Sequence, residues 1–153
     1  MKVKIAILSL SLLLISCSKP DLLDSNGNGI FLNELNQKWL IVNYWATWCG
    51  PCIAEIPELN ELSKQHEELI TLLGVNFDNP TAEEMAAQIK KMKIEFPVLS
   101  ADPSEVLKFE IPQVLPTTFI FEPGGQLVKT LVGPQTKQSI MEIIDARSSV
   151  PGQ

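Results

Sequence analysis

A short apolar run that leads directly into two closely spaced cysteines constrains this chain more than any other feature. Residues 39–45 are Trp-Leu-Ile-Val-Asn-Tyr-Trp, a β-branched and aromatic run that predicts a strand buried on both faces. A helical pattern then extends from about Pro51 to about Glu68. Cys49 and Cys52 therefore lie at the junction between a buried strand and a helix.

This junction predicts different chemistry for the two cysteines. Cys49 falls near the helix N-terminus, where unpaired backbone N–H groups and the helix dipole stabilise a thiolate. Since the thiolate is the nucleophilic form, we expect Cys49 to attack. Cys52 lies one turn further along and can resolve a mixed disulfide, and Pro51 suits the first turn because its missing N–H costs nothing there. A Cys-x-x-Cys beside a β-α-β pattern is typical of redox sites.

Other interpretations of the cysteine pair have less support. A zinc site needs two further Cys or His ligands, and the remaining candidates are Cys17 and His66. A purely structural disulfide that closes so small a loop adds little stability. The pair could also hold Cu(I), although the sequence has no Met-rich or His-rich cluster. We therefore expect no metal and no dissociable cofactor.

The remaining pattern alternates strands and helices. It predicts strands at 69–77, 117–121 and 127–132, helices at 81–93 and 135–147, one or two helical turns at 104–109, and at most an edge strand at 96–99. This order predicts an α/β fold, a three-layer sandwich with a central mixed β-sheet flanked by helices. A length of 153 residues with 45% hydrophobic and 20% charged residues suits one globular domain.

The segment Asp24-Ser-Asn-Gly-Asn-Gly29 resembles the start of a calcium-binding loop, with oxygen-bearing residues at alternate positions. Leu35 stands where such a loop needs a bidentate glutamate. A hairpin turn rich in Gly and Asn is the better interpretation.

Residues 1–16 predict a signal peptide. Two lysines precede an uncharged apolar run at 5–16, which spans roughly 18 Å as a helix against the roughly 30 Å hydrocarbon core. The four residues that end in Cys17, Leu-Ile-Ser-Cys, resemble a bacterial lipobox, so we expect Cys17 to be lipidated. Cys49 and Cys52 would then be the one remaining pair.

These segments predict the organisation of the whole chain. A lipidated tether at 17–25 is expected to precede a main domain at 26–147 and a C-terminal tail at 148–153. Such a protein faces the periplasm or another extracytoplasmic space and is anchored to a membrane, with the inner and the outer membrane both open. A net charge of −6 argues against nucleic acid as a partner and favours the lipid, rather than an anionic surface, as the anchor.

Two motifs resemble a known family. Asn43-Tyr-Trp-Ala-Thr-Trp-Cys-Gly-Pro-Cys52 is similar to the active-site segment of thioredoxin-fold proteins, specifically the TlpA/ResA-like branch of exported thiol–disulfide oxidoreductases. Leu115-Pro-Thr-Thr-Phe119 resembles the second signature of that fold. The resemblance implies a thioredoxin-like sandwich and a redox-active disulfide between Cys49 and Cys52.

The same resemblance implies roles for neighbouring residues. Pro116 would be the cis-proline, and the backbone of Leu115 would pair with an extended substrate, with Thr117 beside it. Within the cysteine motif, Gly50 and Pro51 separate the two sulfurs. Trp48 would line the docking surface.

Glu55 is the candidate proton shuttle. Thioredoxin carries a buried aspartate at the position of Asn43, and an asparagine has no proton to exchange at neutral pH. Glu55 follows Cys52 by one helical turn and matches the glutamate of the family pattern Cys-x-x-Cys-x-x-Glu. A carboxylate beside two thiols can accept a proton and perturbs their pKa values. The alternative is a solvated glutamate on the helix surface.

The resemblance therefore implies thiol–disulfide exchange on extracytoplasmic protein disulfides or thiols, with electrons from a membrane donor of the DsbD/CcdA type. The Gly-Pro dipeptide matches thioredoxin, with a potential near −270 mV against about −120 mV for DsbA, and so favours a reductase. An oxidase remains an alternative, as does a cytochrome c maturation thioredoxin, although Pro116-Thr-Thr118 replaces the Pro-Glu-Thr of that subgroup. A peroxidase would need a threonine at Ala46, and a Cu(I)-binding or peptide-binding module is more remote.

Overall fold

A computed structural model describes residues 19–149. The predicted signal peptide and Cys17 lie outside the described residues, as do residues 150–153 of the predicted tail. The strands are β1 Leu22–Leu23, β2 Gly29–Ile30, β3 Trp39–Trp45, β4 Ile70–Asn76, β5 Thr117–Phe121 and β6 Leu127–Val132. The helices are α1 Leu32–Leu35, α2 Gly50–Gln65, α3 Ala82–Met92, α4 Ser104–Leu107 and α5 Lys137–Ser148. None of these helices within residues 19–149 has the length and apolar composition to cross a membrane.

The central sheet has four strands in the order β4-β3-β5-β6. β3 runs parallel to β4 and antiparallel to β5, and β5 pairs with β6 in an antiparallel hairpin with an irregularity between Ile120 and Phe121. The predicted mixed sheet is therefore confirmed. Every residue of β3 is buried, as expected for a strand with neighbours on both edges and packing on both faces.

Successive residues of β3 pack into two different cores, one on each face of the sheet. Ile41 and Trp45 belong to a first core that includes apolar residues of α2, α3 and α5. Val42 and Tyr44 belong to a second core, which includes Leu22 of β1, Leu35 of α1 and four aromatic or aliphatic residues of β4 and β5. The flanking layers are thus unequal, with long helices on one side and short elements on the other.

The segment at 24–29 forms the hairpin turn expected from its composition. The Asp24 carboxylate accepts hydrogen bonds from the backbone N–H groups of Asn26 at 2.9 Å and Asn28 at 2.8 Å, and from the Asn28 side chain at 2.7 Å. Gly27 has φ +83°, which a residue without Cβ adopts freely. Leu22 before the turn is buried in the second core, so packing begins within the segment expected as a tether.

Residues 96–99 touch the sheet without extending it as a strand. Gly74 N–H donates to the Pro97 carbonyl at 2.8 Å, and Leu99 N–H donates to the Gly74 carbonyl at 2.8 Å. Pro97 has no N–H of its own, so the contact stays a single bridge between Gly74 and Val98 beside β4.

Candidate active site

Cys49 is the N-cap residue of α2 and follows the end of β3 by four residues. Its backbone is extended, and its sulfur accepts a hydrogen bond from the Cys52 N–H at 3.2 Å. The sulfur thus occupies the position that a Ser or Asp oxygen takes at an ordinary helix start. Since this sulfur lies at the N-terminus of α2 and accepts from a backbone N–H there, the helix favours negative charge on Cys49.

The two cysteines form a disulfide and differ in access. Their sulfurs are 2.01 Å apart, and the two Cα atoms are 5.3 Å apart. Cys49 keeps 5% of its surface exposed, whereas Cys52 is completely buried in the first core. Cys49 is therefore the more accessible of the two cysteines to an incoming thiol or disulfide. This asymmetry is what the proposed attacking and resolving roles require.

Trp48 directly precedes Cys49 in the chain and is the most exposed aromatic residue of the site, with 65% of its surface accessible. Its indole N–H donates to the Asp78 carboxylate, at 2.9 Å and 3.2 Å to the two oxygens. Asp78 follows β4, and the carboxyl ends of the parallel strands β3 and β4 lie at one edge of the sheet. Asp78 is not among the site residues predicted from the sequence, although its position just after a predicted strand marks it as a candidate.

Pro116 lies in the loop that leads into β5, and the Leu115–Pro116 peptide bond is cis. The Pro116 carbonyl accepts from Gly133 N–H at 2.8 Å. Leu115 is partly exposed and packs against the first core, which contains both cysteines. The structure therefore brings this loop and the disulfide together in one packed cluster.

Thr117 is placed differently from the expected substrate contact. It is 1% exposed, and its hydroxyl donates to the Val114 carbonyl at 2.8 Å. In the strand register, Thr117 pairs with Tyr44 of β3 on one side and with Val132 of β6 on the other. Thr117 therefore offers almost no surface to a substrate, and Trp48 and Leu115 are the accessible residues of the predicted set.

Glu55 is buried rather than solvated. It is 2% exposed on the inner face of α2, so the alternative of a surface glutamate does not describe it. One carboxylate oxygen accepts from the Asn43 side-chain N–H at 2.8 Å, and the other accepts from the Gln135 backbone N–H at 2.8 Å. Burial raises the pKa of Glu55 to about 7, while these two hydrogen bonds act in the opposite direction.

The partners of Glu55 come from distant parts of the sequence. Gln135 contributes its backbone N–H, which every residue except proline carries, so no sequence signature marks it. Thr118 accepts a second hydrogen bond from the Asn43 amide at 3.0 Å and is completely buried. Thr118 lies inside the second motif, but nothing in the sequence indicated this contact.

The other candidate ligands do not gather into a metal site within the part of the chain described. No three His, Cys, Asp or Glu side chains of residues 19–149 lie close enough to share an ion. His66 is the C-cap residue of α2, whose backbone N–H donates to the Leu62 carbonyl at 3.1 Å.

Comparisons with known proteins find relatives of this chain. A family model described as the AhpC/TSA family matches residues 16–130. The chain is similar to the thiol-disulfide oxidoreductase ResA of Bacillus subtilis (strain 168), with 32% identity over 126 residues, which cover 80% of this chain and 68% of that protein.

Solved structures show the same architecture. The structure of StoA from Bacillus subtilis is similar with a TM-score of 0.65 and 25% identity, covering 79% of this chain and 92% of that chain. The exposed lipoprotein thioredoxin Etrx1 of Streptococcus pneumoniae strain TIGR4 gives a TM-score of 0.70 at 23% identity, covering 82% and 96%. These likenesses confirm the thioredoxin-like fold.

Replacing Glu55 with glutamine should make the stability of the oxidised protein less dependent on pH. The folded-state pKa of about 7 exceeds the ordinary 4.5, so the stability present below pH 4.5 is lost as pH rises through 7. The loss approaches about 3 kcal/mol at pH 8. Because glutamine does not titrate, Glu55→Gln should show a flatter unfolding free energy in guanidinium titrations between pH 4.5 and 8.

Glu61→Gln is the matched control on the same helix. Glu61 is exposed, and its hydrogen bond with Lys137 lowers its pKa, so Glu61 stabilises the fold when it is ionised. Relative to the unsubstituted chain, Glu61→Gln should therefore become less stable towards higher pH, whereas Glu55→Gln should become more stable. Parallel pH curves for Glu55→Gln and the unsubstituted chain would contradict the effect of burial.

Proposed function

This chain belongs to the AhpC/TSA family and is a ResA-like thiol-disulfide oxidoreductase with a Cys49–Cys52 disulfide, and we propose that it is an exported, membrane-anchored reductase of protein disulfides. The observation that carries this proposal is the unequal burial of the cysteines. Cys49 is accessible at a helix N-terminus, whereas Cys52 lies beneath it in the first core with the buried Glu55 on the same helix.

The reaction begins at Cys49. Its thiolate attacks one sulfur of a substrate disulfide, forms a mixed disulfide and releases the other substrate sulfur as a thiolate. Cys52 then transfers its proton to the Glu55 carboxylate and attacks the Cys49 sulfur. This step forms the Cys49–Cys52 disulfide and releases the second substrate thiolate. The substrate gains two electrons and the enzyme dithiol loses them.

Trapping of a mixed disulfide tests this order of attack. Cys52→Ser keeps the nucleophile but removes the group that resolves the intermediate, so it should accumulate covalent complexes with substrate proteins. Cys49→Ser leaves only a completely buried thiol and should form none while losing all turnover. Non-reducing electrophoresis followed by mass spectrometry measures both, and complexes that form through Cys52 in Cys49→Ser would reverse the roles.

Glu55 suits the proton transfer because its pKa of about 7 leaves both forms populated near neutral pH. Glu55→Gln keeps the side-chain shape but cannot accept a proton. We expect the rate of the resolving step to fall by at least tenfold at pH 7, as measured by stopped-flow tryptophan fluorescence. The pH–rate profile of the variant should also lack the inflection near pH 7. An unchanged pH–rate profile would contradict the proton role of Glu55.

The reductive direction is supported by the Gly50-Pro51 dipeptide, which matches that of thioredoxin. A reductase that receives electrons from a membrane donor is maintained as a dithiol in the cell. Acid quenching followed by thiol labelling should therefore find Cys49 and Cys52 mostly reduced, and mostly oxidised in cells without the donor. A disulfide that persists in growing cells with or without that donor would instead favour an oxidase.

Export and anchoring rest on the sequence of residues 1–17. The apolar run and the lipobox-like tetrapeptide support lipidation at Cys17, and a donor of the DsbD/CcdA type would act in the same membrane. Cys17→Ser should move the protein from the membrane fraction to the soluble fraction and should stop incorporation of labelled palmitate. Continued membrane association without the label would contradict a lipid anchor.

A further inference from the structure

Glu55, Asn43 and Thr118 form a buried polar cluster between α2, β3 and β5. The Asn43 amide nitrogen is 2.8 Å from a Glu55 carboxylate oxygen and 3.0 Å from the Thr118 hydroxyl oxygen, so its two hydrogens serve the two neighbours. All three side chains are at most 2% exposed. The mechanism above uses Glu55 alone and leaves the other two residues without a role.

This arrangement suits an ionised Glu55. A carboxylate accepts hydrogen bonds only, and both of its partners, Asn43 and the Gln135 backbone, donate. The Asn43 side-chain oxygen is buried and has no partner among the described residues. The Thr118 hydroxyl hydrogen likewise has no acceptor within residues 19–149. A buried acceptor and a buried donor are thus unused around the same amide, although buried polar groups are normally paired.

Protonation of Glu55 changes which hydrogen bonds its carboxyl group can form with Asn43. The Gln135 N–H still requires an acceptor, so the new hydrogen belongs on the oxygen that faces Asn43. Two donors would then face each other. A half-turn of the Asn43 amide exchanges its nitrogen and oxygen, and the oxygen can accept from the Glu55 O–H and from the Thr118 O–H. Both states contain two hydrogen bonds to Asn43.

We propose that the Asn43 side-chain amide rotates by half a turn when Glu55 gains or loses its proton. Asn43 is then a positioning residue that forms a hydrogen bond with both the ionised and the protonated form of Glu55. The proposal rests on the proton role of Glu55 proposed above. It accounts for an asparagine at this place in β3. An aspartate would put a second negative charge beside Glu55, and an apolar residue would bond neither form.

Other charged and titratable groups around Glu55 do not replace this partner. On α2, Cys52 precedes Glu55 by one turn, and Glu58 follows it and accepts from the Lys137 backbone N–H at 3.1 Å. The Lys137 ammonium group of α5 binds Glu61 at 2.9 Å. On β3 and β5 the facing groups are the uncharged Asn43 and Thr118 side chains. Asn43 is therefore the one side chain, among those described, that donates a hydrogen bond to the carboxylate.

Nuclear magnetic resonance of the oxidised full-length chain in detergent micelles tests the proposal, since the thiols do not titrate in that form. With ¹³C,¹⁵N-labelled Asn and Glu, the Glu55 carboxyl carbon reports its own protonation between pH 4 and 10. We expect the Asn43 side-chain carbon to shift with the same midpoint. The Asn43 amide hydrogens should show nuclear Overhauser contacts to Glu55 and Thr118 above that midpoint and lose them below it.

Glu55→Gln provides the matched control because its amide imitates the protonated acid at every pH. Its oxygen accepts from Gln135 and its NH₂ group faces Asn43, so Asn43 should show the low-pH pattern from pH 4 to 10. If the Asn43 chemical shifts and Overhauser contacts stay constant while Glu55 titrates, the proposed rotation of the Asn43 amide is wrong. The exchange mechanism would remain intact. Absence of any Glu55 titration in this range would overturn both this inference and the proton role of Glu55.

Discussion

Burial of β3 on both faces and both edges determines where the chemistry of this protein lies. The strand has a parallel neighbour on one side and an antiparallel neighbour on the other, and each face packs into its own core. A strand so constrained ends at one place, and α2 begins a few residues later with Cys49 as its N-cap. The sulfur is thus located by the packing of the whole sheet rather than by its own loop.

The depth of each group below the surface then separates the chemical roles. Cys49 is at the surface of the first core and Cys52 within it, and a carboxylate is buried one turn further along the same helix. A group that must exchange protons with a buried thiol benefits from a pKa near 7, which for Glu55 comes from removal from water. In the proposed mechanism, burial therefore provides both the selectivity of attack and the proton acceptor.

Parts of this arrangement were predictable from sequence because their signals are local. The bounds of β3 and β5 match the predicted strands, since dense apolar runs have clear ends. The two-residue strands of the β1–β2 hairpin have no period to detect, so the sequence predicted the turn between them but not the strands. The burial of Glu55 depends on a backbone N–H of Gln135 brought close by the tertiary fold, which no local pattern encodes.

The reduction midpoint of the disulfide tests the central claim most directly. The Cys17→Ser chain leaves Cys49 and Cys52 as the only thiols, and equilibration in defined glutathione or dithiothreitol buffers gives the potential. A dithiol reductase predicts a value at or below about −230 mV, in the range of thioredoxin and the glutaredoxins. A value near about −120 mV, as in DsbA, would contradict the account and make the protein a donor of disulfides.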